Sequence, residues 1–312
     1  MVVRKLNMNK YTKNINFEGI NTNIPVIDVG KFENGFIVLI AQMHGDEYSS
    51  RLICNEILNI NKGLEKGLRI ILCANPNGAK GLAKFETITG KNLNRCFIKS
   101  KINNPKDVSG LIAKEIVDLC INAKFVIDLH DMLGSKIPIC SIITLTDNQK
   151  ANRKNFDLVK KFGPKIVWLE DFRKRDVRKR YSGTINSYLN SRCIPNFTIE
   201  TSPINLIRRA EIKNVANKLL SLINDSKAIN KLNLIERIEI YSPSEGILIP
   251  SKKPLLEKIK QGEILGILIN EKLQKTFVRS TTSGILVRKC YQRFVFKNEK
   301  VFDVGKEVLW KD

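Results

Sequence analysis

The stretch LIAQMHGDEYSSRLICNEIL, residues 39–58, joins an apolar run to a helical pattern and carries a histidine and a glutamate at the junction. The run FIVLIAQ (36–42) has the length and composition of a buried strand, and apolar residues recur at helical spacing from about residue 47 to residue 60. His44 therefore comes just after a strand, and Glu47 is predicted in the first turn of the helix. Open α/β sheets bind their ligands at this edge.

Apolar runs of strand length continue to alternate with helical patterns as far as residue 224. Further strands are predicted at 68–74, 125–129, 165–169 and 196–200, and further helices at 109–122 and 204–224. Such alternation is typical of a sheet with crossover helices. We therefore predict an α/β domain, a mixed sheet with helices on both faces, over residues 1–230.

The composition changes over residues 231–312, where short β-like runs follow glycine-containing turns. Two pairs of segments are similar to one another: SPSEGILIP (242–250) to STTSGILVR (280–288), and KIKQGEILGIL (258–268) to KVFDVGKEVLW (300–310). Two such halves predict a small all-β barrel or sandwich that resembles biotinyl- and lipoyl-carrier domains. The Met-Lys-Met hairpin of those carriers is missing between the halves, so we interpret this part as a structural or gating module.

The second of the chain's two histidines also ends a predicted strand. His130 closes KFVIDLH (124–130), so its ring should lie on the same sheet edge as that of His44. With Glu47 these residues form a His/Glu/His set, the ligand type of catalytic zinc, which leaves one position open for water. Asp128 points to the same face of the strand and could orient the ring of His130. The alternative is two packed, hydrogen-bonded histidines with no metal.

The formal net charge of +22 raises the question of a nucleic-acid partner. Lysines are spread along the whole chain, however, and do not form a binding stripe. One dense basic run exists, RKRDVRKR at 173–180. We interpret this run as a solvated loop or an entrance for anionic substrates, and nucleic acid is disfavoured.

Three features favour a folded cytoplasmic protein without a membrane partner. A chain of 312 residues with 43% hydrophobic content can bury a substantial core. No apolar run approaches the roughly 18 residues of a membrane helix, and the first 19 residues lack the apolar segment of a secretory signal. The seven cysteines are scattered singly without a C-x-x-C pair, which favours reduced structural thiols.

Five short motifs follow one another between residues 24 and 205: HGDE (44–47), NPNG (75–78), NLNR (92–95), DLH (128–130) and FTIE (197–200). In order and spacing they resemble the motifs of the succinylglutamate desuccinylase/aspartoacylase family of the zinc-carboxypeptidase superfamily. The C-terminal β module is similar as well. The resemblance implies a zinc-carboxypeptidase-like fold and one Zn²⁺ per chain, held by His44, Glu47 and His130.

The resemblance also implies roles for four further residues. Glu200 would be the general base that takes a proton from the metal-activated water and passes it to the leaving amine. Asn94 and Arg95 would clamp a substrate carboxylate, because a guanidinium can form two parallel hydrogen bonds to it. Lys84 occupies a position where the family usually has an arginine that stabilises the oxyanion of the tetrahedral intermediate. Lysine keeps the charge but cannot form the two parallel hydrogen bonds of a guanidinium.

The implied activity is zinc-dependent amidohydrolysis of a small anionic N-acyl amino acid. The chain departs from the family pattern at Asn92, where Asp is usual, and after Glu200, where TSP replaces a glycine-containing turn. These departures flank the specificity pocket. Two alternatives stay open: a zinc carboxypeptidase that acts on peptide C-termini with the same residues, and a non-catalytic basic binding protein on the same fold. A homo-oligomer is compatible with the sequence.

Overall fold

A large mixed sheet organises the first part of the chain. The structure is a computed structural model that describes residues 8–61, 64, 66–225, 228 and 231–309. The strands as far as residue 201 are β1 (Met8–Phe17), β2 (Ile20–Val29), β3 (Phe36–Ala41), β4 (Gly67–Ile71), β5 (Val126–Asp131), β6 (Ser135–Lys136), β7 (Cys140–Leu145), β8 (Ile166–Asp171) and β9 (Asn196–Thr201). The helices are α1 (Ser49–Ile60), α2 (Pro76–Lys80), α3 (Lys99–Asn103), α4 (Val108–Cys120), α5 (Gln149–Phe162), α6 (Arg175–Tyr181), α7 (Ile185–Ser191) and α8 (Arg209–Ile223). Short 3-10 helices lie at Phe32–Asn34 and Leu93–Arg95.

The remaining strands form the C-terminal β module. They are β10 (Leu234–Tyr241), β11 (Gly246–Pro250), β12 (Lys258–Ile259), β13 (Ile264–Ile269), β14 (Lys275–Arg279), β15 (Gly284–Cys290), β16 (Arg293–Val295) and β17 (Lys300–Glu307). Within the described residues the large sheet has the order β1-β2-β4-β3-β5-β9-β7-β8-β10-β17-β15-β12, with β6 beside β15. A second, antiparallel sheet has the order β14-β13-β11-β16. This is the predicted α/β fold with a small β module.

Helices cover both faces of the large sheet, which explains the continuous apolar runs of its central strands. Successive side chains of β3 enter different cores: Leu39 packs on the side of α1, α5 and α8, and Ile40 on the side of α4 and α7. Both side chains are fully buried, and burial of a large apolar side chain contributes roughly 1.5–3 kcal/mol. A strand buried on both faces has no polar side, so it appears as an unbroken apolar run.

The predicted elements of the α/β part are all present, although their boundaries shift. The largest shift is at the last helix, which begins at Arg209 instead of 204. The patterns predict nothing over residues 8–29 or 140–162, where the structure has the β1–β2 hairpin, β7 and α5.

The two similar halves of the C-terminal segment are two antiparallel strand pairs in different sheets. In the small sheet β11 pairs with β13, with Leu248 opposite Leu268. In the large sheet β15 pairs with β17, with Leu286 opposite Val304. These four side chains meet in one core between the sheets, so the module is a sandwich. The last repeat residue, at 310, lies outside the described residues.

The large sheet runs on into the β module, because β10 pairs in parallel with β8 and antiparallel with β17. The division into residues 1–230 and 231–312 therefore stays a prediction, and residue 230 itself lies outside the described residues.

All seven cysteines are free thiols, and all except Cys193 are buried, as expected for structural cysteines. Among the described residues no helix has both the length and the apolar character that a membrane crossing requires. The cytoplasmic location stays a prediction.

Candidate active site

Three parallel strands in the middle of the large sheet bring the candidate residues to one edge. β5 lies between β3 and β9 and is parallel to both. His44 follows the end of β3, His130 lies near the end of β5, and Glu200 lies directly opposite His130 in β9. The predicted convergence of the two histidines at one sheet edge is therefore present.

The carboxylate of Glu47 joins the two histidine rings. Its Oε1 lies 2.6 Å from Nδ1 of His44, and its Oε2 lies 2.8 Å from Nδ1 of His130. The three side chains are buried, and one ligand atom from each lies within 4.8 Å of the others. Two imidazole nitrogens and a carboxylate are the donors that catalytic zinc takes in proteins, so this set fits a zinc ion.

The prediction that Glu47 lies in the first turn of the helix is wrong, because Glu47 lies in the loop before it. The helix α1 begins at Ser49. The N–H of Ser49 donates to Oδ2 of Asp131 at 2.8 Å, and the N–H of Asp131 donates to Oε2 of Glu47 at 3.2 Å. Asp131 therefore satisfies the start of α1 and holds Glu47 in place.

Asp131 is a site residue that the motifs do not include, and its position directly after His130 is the signal that could have identified it. It is 3% exposed, and burial raises its pKa to about 7.

Each histidine ring also contacts an oxygen through its second nitrogen. Oδ2 of Asp128 lies 2.8 Å from Nε2 of His130, and Oδ1 of Asn92 lies 3.3 Å from Nε2 of His44. Such contacts leave Nδ1 of each ring to face Glu47, and they fix the ring orientation. The sequence predicted this position for Asp128. Asn92, which stands where the family usually has an aspartate, was predicted to flank the specificity pocket more than the metal, and instead it contacts a candidate metal ligand.

The charges around the two histidines support one another. Burial lowers the pKa of His130, but the carboxylates of Asp128 and Glu47 outweigh it and hold that pKa well above its usual value. Burial likewise raises the pKa of Glu47, and the two histidines outweigh it, so the pKa of Glu47 is lowered. A metal ion takes neutral imidazoles as ligands, so its binding would displace the proton that these carboxylates hold on His130.

Glu200 is partly exposed as a residue, whereas its Oε2 atom is enclosed and has no hydrogen-bond partner among the described residues. Burial raises the pKa of Glu200 to about 8, with Glu47 adding to the effect and His130 opposing it. A carboxyl group with a pKa in this range can both accept and release a proton near neutral pH.

The 3-10 helix Leu93–Arg95 brings Asn94 to the site, whereas the guanidinium of Arg95 contacts two backbone carbonyls and a tyrosine ring. Nδ2 of Asn94 lies 3.5 Å from Nε2 of His130, and its Oδ1 accepts the N–H of Ile185 at 3.0 Å. Arg95 donates through Nη1 to the Asn94 carbonyl at 2.6 Å and through Nε to the Arg180 carbonyl at 3.3 Å. Its guanidinium lies 5.5 Å from the ring centre of Tyr181, next to α6.

Lys84 lies in the exposed loop that follows α2. Burial raises the pKa of Asp46, which lies two residues beyond His44, and the charge of Lys84 lowers it. Lys84 therefore lies near Asp46. In the described part of the chain Lys84 has no side-chain hydrogen bond to the three candidate ligands. Its assignment to the oxyanion stays a prediction.

The basic run 173–180 forms α6 and the turn before it, and it is not a uniform positive surface. Arg173 pairs with Asp171 at 2.7 Å, Lys174 with Glu236 at 2.7 Å, and Arg180 with Glu239 at 2.9 Å. The three basic residues line a cavity of about 490 Å³ together with their acidic partners. The acidic partners weaken the attraction that this run could offer to phosphates.

We expect no tight nucleic-acid binding by this run. In a fluorescence-anisotropy titration with duplex and single-stranded DNA at about 150 mM salt, which screens weak surface attraction, the Kd should stay above about 1 μM. Tight, salt-sensitive binding would contradict this expectation if it were lost on replacing the four arginines of the run by glutamine (Arg173, Arg175, Arg178 and Arg180).

Comparison with known proteins gives a family match and several structural matches. Residues 35–224 match the model of the succinylglutamate desuccinylase/aspartoacylase catalytic domain. No curated protein matches the chain.

Three solved structures share the fold over nearly the full length of each chain. An aspartoacylase family protein from Mesorhizobium loti has a TM-score of 0.79 at 18% identity and covers 99% of this chain and 98% of its own. The product-bound ectoine utilization protein EutE (DoeB) from Ruegeria pomeroyi has a TM-score of 0.79 at 14% identity and covers 98% of this chain and 97% of its own. A succinylglutamate desuccinylase/aspartoacylase from Rhodobacter sphaeroides has a TM-score of 0.79 at 13% identity and covers 100% of this chain and 98% of its own.

Proposed function

Because the chain belongs to the succinylglutamate desuccinylase/aspartoacylase family of deacylases, we propose that it is a zinc-dependent amidohydrolase that cleaves the amide bond of a small N-acyl amino acid. The observation that carries the proposal is the convergence of Nδ1 of His44 and Nδ1 of His130 on the carboxylate of Glu47. Glu200 lies opposite His130 on the neighbouring strand. Donors for one metal ion and a candidate base are thus held at one sheet edge.

The residues of the site divide the work of amide hydrolysis. Zinc held by His44, Glu47 and His130 supplies, when bound, a water of lowered pKa and a Lewis acid for the carbonyl oxygen. Glu200 accepts the proton of the attacking water and returns it to the amine nitrogen as the amide bond breaks. Asp128 fixes the ring of His130 from behind.

Substrate selection falls to Asn94, Arg95 and Lys84. Asn94 is buried beside His130, and its amide can contact the bound substrate. Arg95 follows directly, and among the described residues its Nη2 has no hydrogen-bond partner, so this nitrogen can bind a carboxylate. Lys84, which is exposed and whose charge acts on Asp46, would act on the oxyanion.

The β module favours a small substrate over a peptide. β15 pairs with β6, which follows β5 closely, so Lys289 lies opposite Lys136 and Cys290 opposite Ser135. Strands of the module are thereby attached next to the strand that carries His130. A carboxypeptidase needs an open groove for several substrate residues, whereas we propose that the module closes over a small substrate. The complete ligand set and Glu200 also favour catalysis over a purely binding role.

Two measurements test the proposal. Metal analysis of the purified protein should give about one divalent ion per chain. An amine-release screen over N-acetyl, N-succinyl and N-formyl amino acids should then show hydrolysis that a chelator abolishes and Zn²⁺ restores. Release of C-terminal residues from longer peptides, with no cleavage of N-acyl amino acids, would favour the carboxypeptidase alternative. A protein inactive in both assays would favour the binding alternative.

We expect Arg95→Lys to act mainly on KM. Lysine keeps the charge but cannot form two parallel hydrogen bonds, so kcat/KM for carboxylate-bearing substrates should fall by an amount equivalent to about 1–3 kcal/mol. Steady-state kinetics on the best substrate of the screen measure this change.

Arg192→Lys is the matched control for Arg95→Lys, because the Arg192 guanidinium also lies 5.5 Å from a tyrosine ring centre, that of Tyr188, but belongs to no candidate site. Its kinetics should match those of the wild type. If the wild type cleaved carboxyl esters or amides of the same substrates equally well, the clamp assignment would be wrong.

A further inference from the structure

A small cavity lies between β9 and the strands of the β module. Its volume is about 20 Å³, and its lining includes Glu200 together with Arg288 of β15 and Asp303 of β17. Each of these three residues has one enclosed polar atom without a hydrogen-bond partner among the described residues: Oε2 of Glu200, Nη2 of Arg288 and Oδ1 of Asp303. Buried polar atoms are nearly always paired with protein or water, so three such atoms around one cavity require an explanation.

The other polar atoms of Arg288 and Asp303 are already engaged. Nε of Arg288 donates to Oδ2 of Asp303 at 2.9 Å, and its Nη1 donates to Oγ of Ser135 at 2.9 Å. A second guanidinium, that of Arg237, places Nη1 3.5 Å from the same Oδ2. Arg288 is 5% exposed and Asp303 is 1% exposed. These contacts fix both side chains and leave one nitrogen, Nη2 of Arg288, and one oxygen, Oδ1 of Asp303, for the cavity.

We infer that the cavity is a site for one ordered water that links Arg288 and Asp303 to Glu200. The cavity exceeds the roughly 10–15 Å³ that one water requires. This water accepts the Nη2–H of Arg288 and donates its two hydrogens to Oδ1 of Asp303 and Oε2 of Glu200. All three unpaired atoms are then satisfied by three hydrogen bonds, the usual number for a buried water.

The link makes Arg288 and Asp303 positioning residues for Glu200, which rests on the proposed function of Glu200 as the base. With Oε2 held from behind, the other carboxylate oxygen is the one directed to the reacting water. The β module then does more than enclose the substrate, because two of its strands set the orientation of the base.

The test removes both charges together, because a lone buried charge would destabilise the protein. In the double variant Arg288→Met/Asp303→Leu, kcat should fall about tenfold while KM and bound metal stay within about twofold of the wild type. The matched control is Arg69→Met/Asp28→Leu, which removes a partly buried pair joined at 2.9 and 2.8 Å between β4 and β2. The control should keep the kcat of the wild type.

Two further measurements secure the result. Arg288→Lys keeps the charge but lacks the second fork nitrogen, so it should lower kcat about threefold and carries the kinetic test if the double variant does not fold. A crystal structure should show a water within about 3 Å of the three atoms in the wild type.

A cavity without that water, or unchanged kcat in the double variant and in Arg288→Lys, would overturn the inference. A wild type that cleaves no N-acyl amino acid would refute the proposed function instead, and the crystal structure would still decide whether the water site exists.

Discussion

Replacing Glu200 by glutamine is expected to lower kcat by at least about 10³-fold while metal content and substrate Kd change little. The amide of glutamine is close in shape to the carboxylate but cannot accept the proton of the water. Loss of general-base catalysis alone typically costs about 10²–10⁴-fold, and here the same group also delivers the proton to the leaving amine. Steady-state kinetics, metal analysis and calorimetric titration with a slowly cleaved substrate measure the three quantities.

Glu170→Gln is the matched control for Glu200→Gln. Glu170 lies near the end of β8, two strands away from β9, and burial raises its pKa too. Its kcat should stay within about threefold of the wild type, because loss of a buried carboxylate alone does not remove the base. A Glu200→Gln protein that keeps more than about a tenth of the kcat would place the base elsewhere, with Asp131 and Asp128 to be tested next. Metal loss would identify Glu200 as a ligand in exchange for Glu47.

The sequence predicts the middle of the large sheet because those strands are buried on both faces. The runs at 36–42, 125–129 and 196–200 are apolar almost throughout, and adjacent parallel strands end at the same edge. Polar residues that end such runs are therefore expected to meet there. This reasoning finds His44 and His130 from the strands alone.

Two of the elements that the sequence does not predict, β1 and α5, have mixed patterns. In the β1 strand MNKYTKNINF only Ile15 is buried, and Lys13 interrupts the apolar face that Tyr11, Ile15 and Phe17 form, so the alternation is weak. In α5 the buried face includes Asn152 and Asn155, whose side chains donate to the Thr146 carbonyl and to the Asn190 side chain. Hydrogen-bonded asparagines on the buried face remove the apolar periodicity on which helix prediction depends.

Contacts at the sheet edge between residues far apart in the chain also could not be predicted from the sequence. Asn92 reaches His44 across 48 positions of the chain, and Asp131 reaches the start of α1 across 82. Both contacts depend on how loops fold over the sheet edge, and no local periodicity encodes that path. The motif resemblance identified the residue types of the candidate metal site, whereas the structure was needed to show which oxygen faces which ring nitrogen.

The structural contacts around Glu47 also determine how the site responds to loss of a histidine. The chain has two histidines, and both face the same carboxylate. When one is removed, the candidate site keeps one imidazole and Glu47, and no other histidine can replace the lost donor. Cysteine thiolates can also bind zinc, but among the seven cysteines only Cys193 is not buried.

His44→Ala and His130→Ala are each expected to lower bound metal at least about 10-fold and to abolish turnover, because two donors hold zinc far more weakly than three. Metal analysis after dialysis and calorimetric titration with Zn²⁺ measure the loss, and thermal unfolding checks that each variant is folded. Cys193→Ala is the control for adventitious thiol binding and should retain about one ion per chain. If the double variant His44→Ala/His130→Ala kept stoichiometric metal, the ion would be bound elsewhere, and the proposed centre at this sheet edge would have to be abandoned.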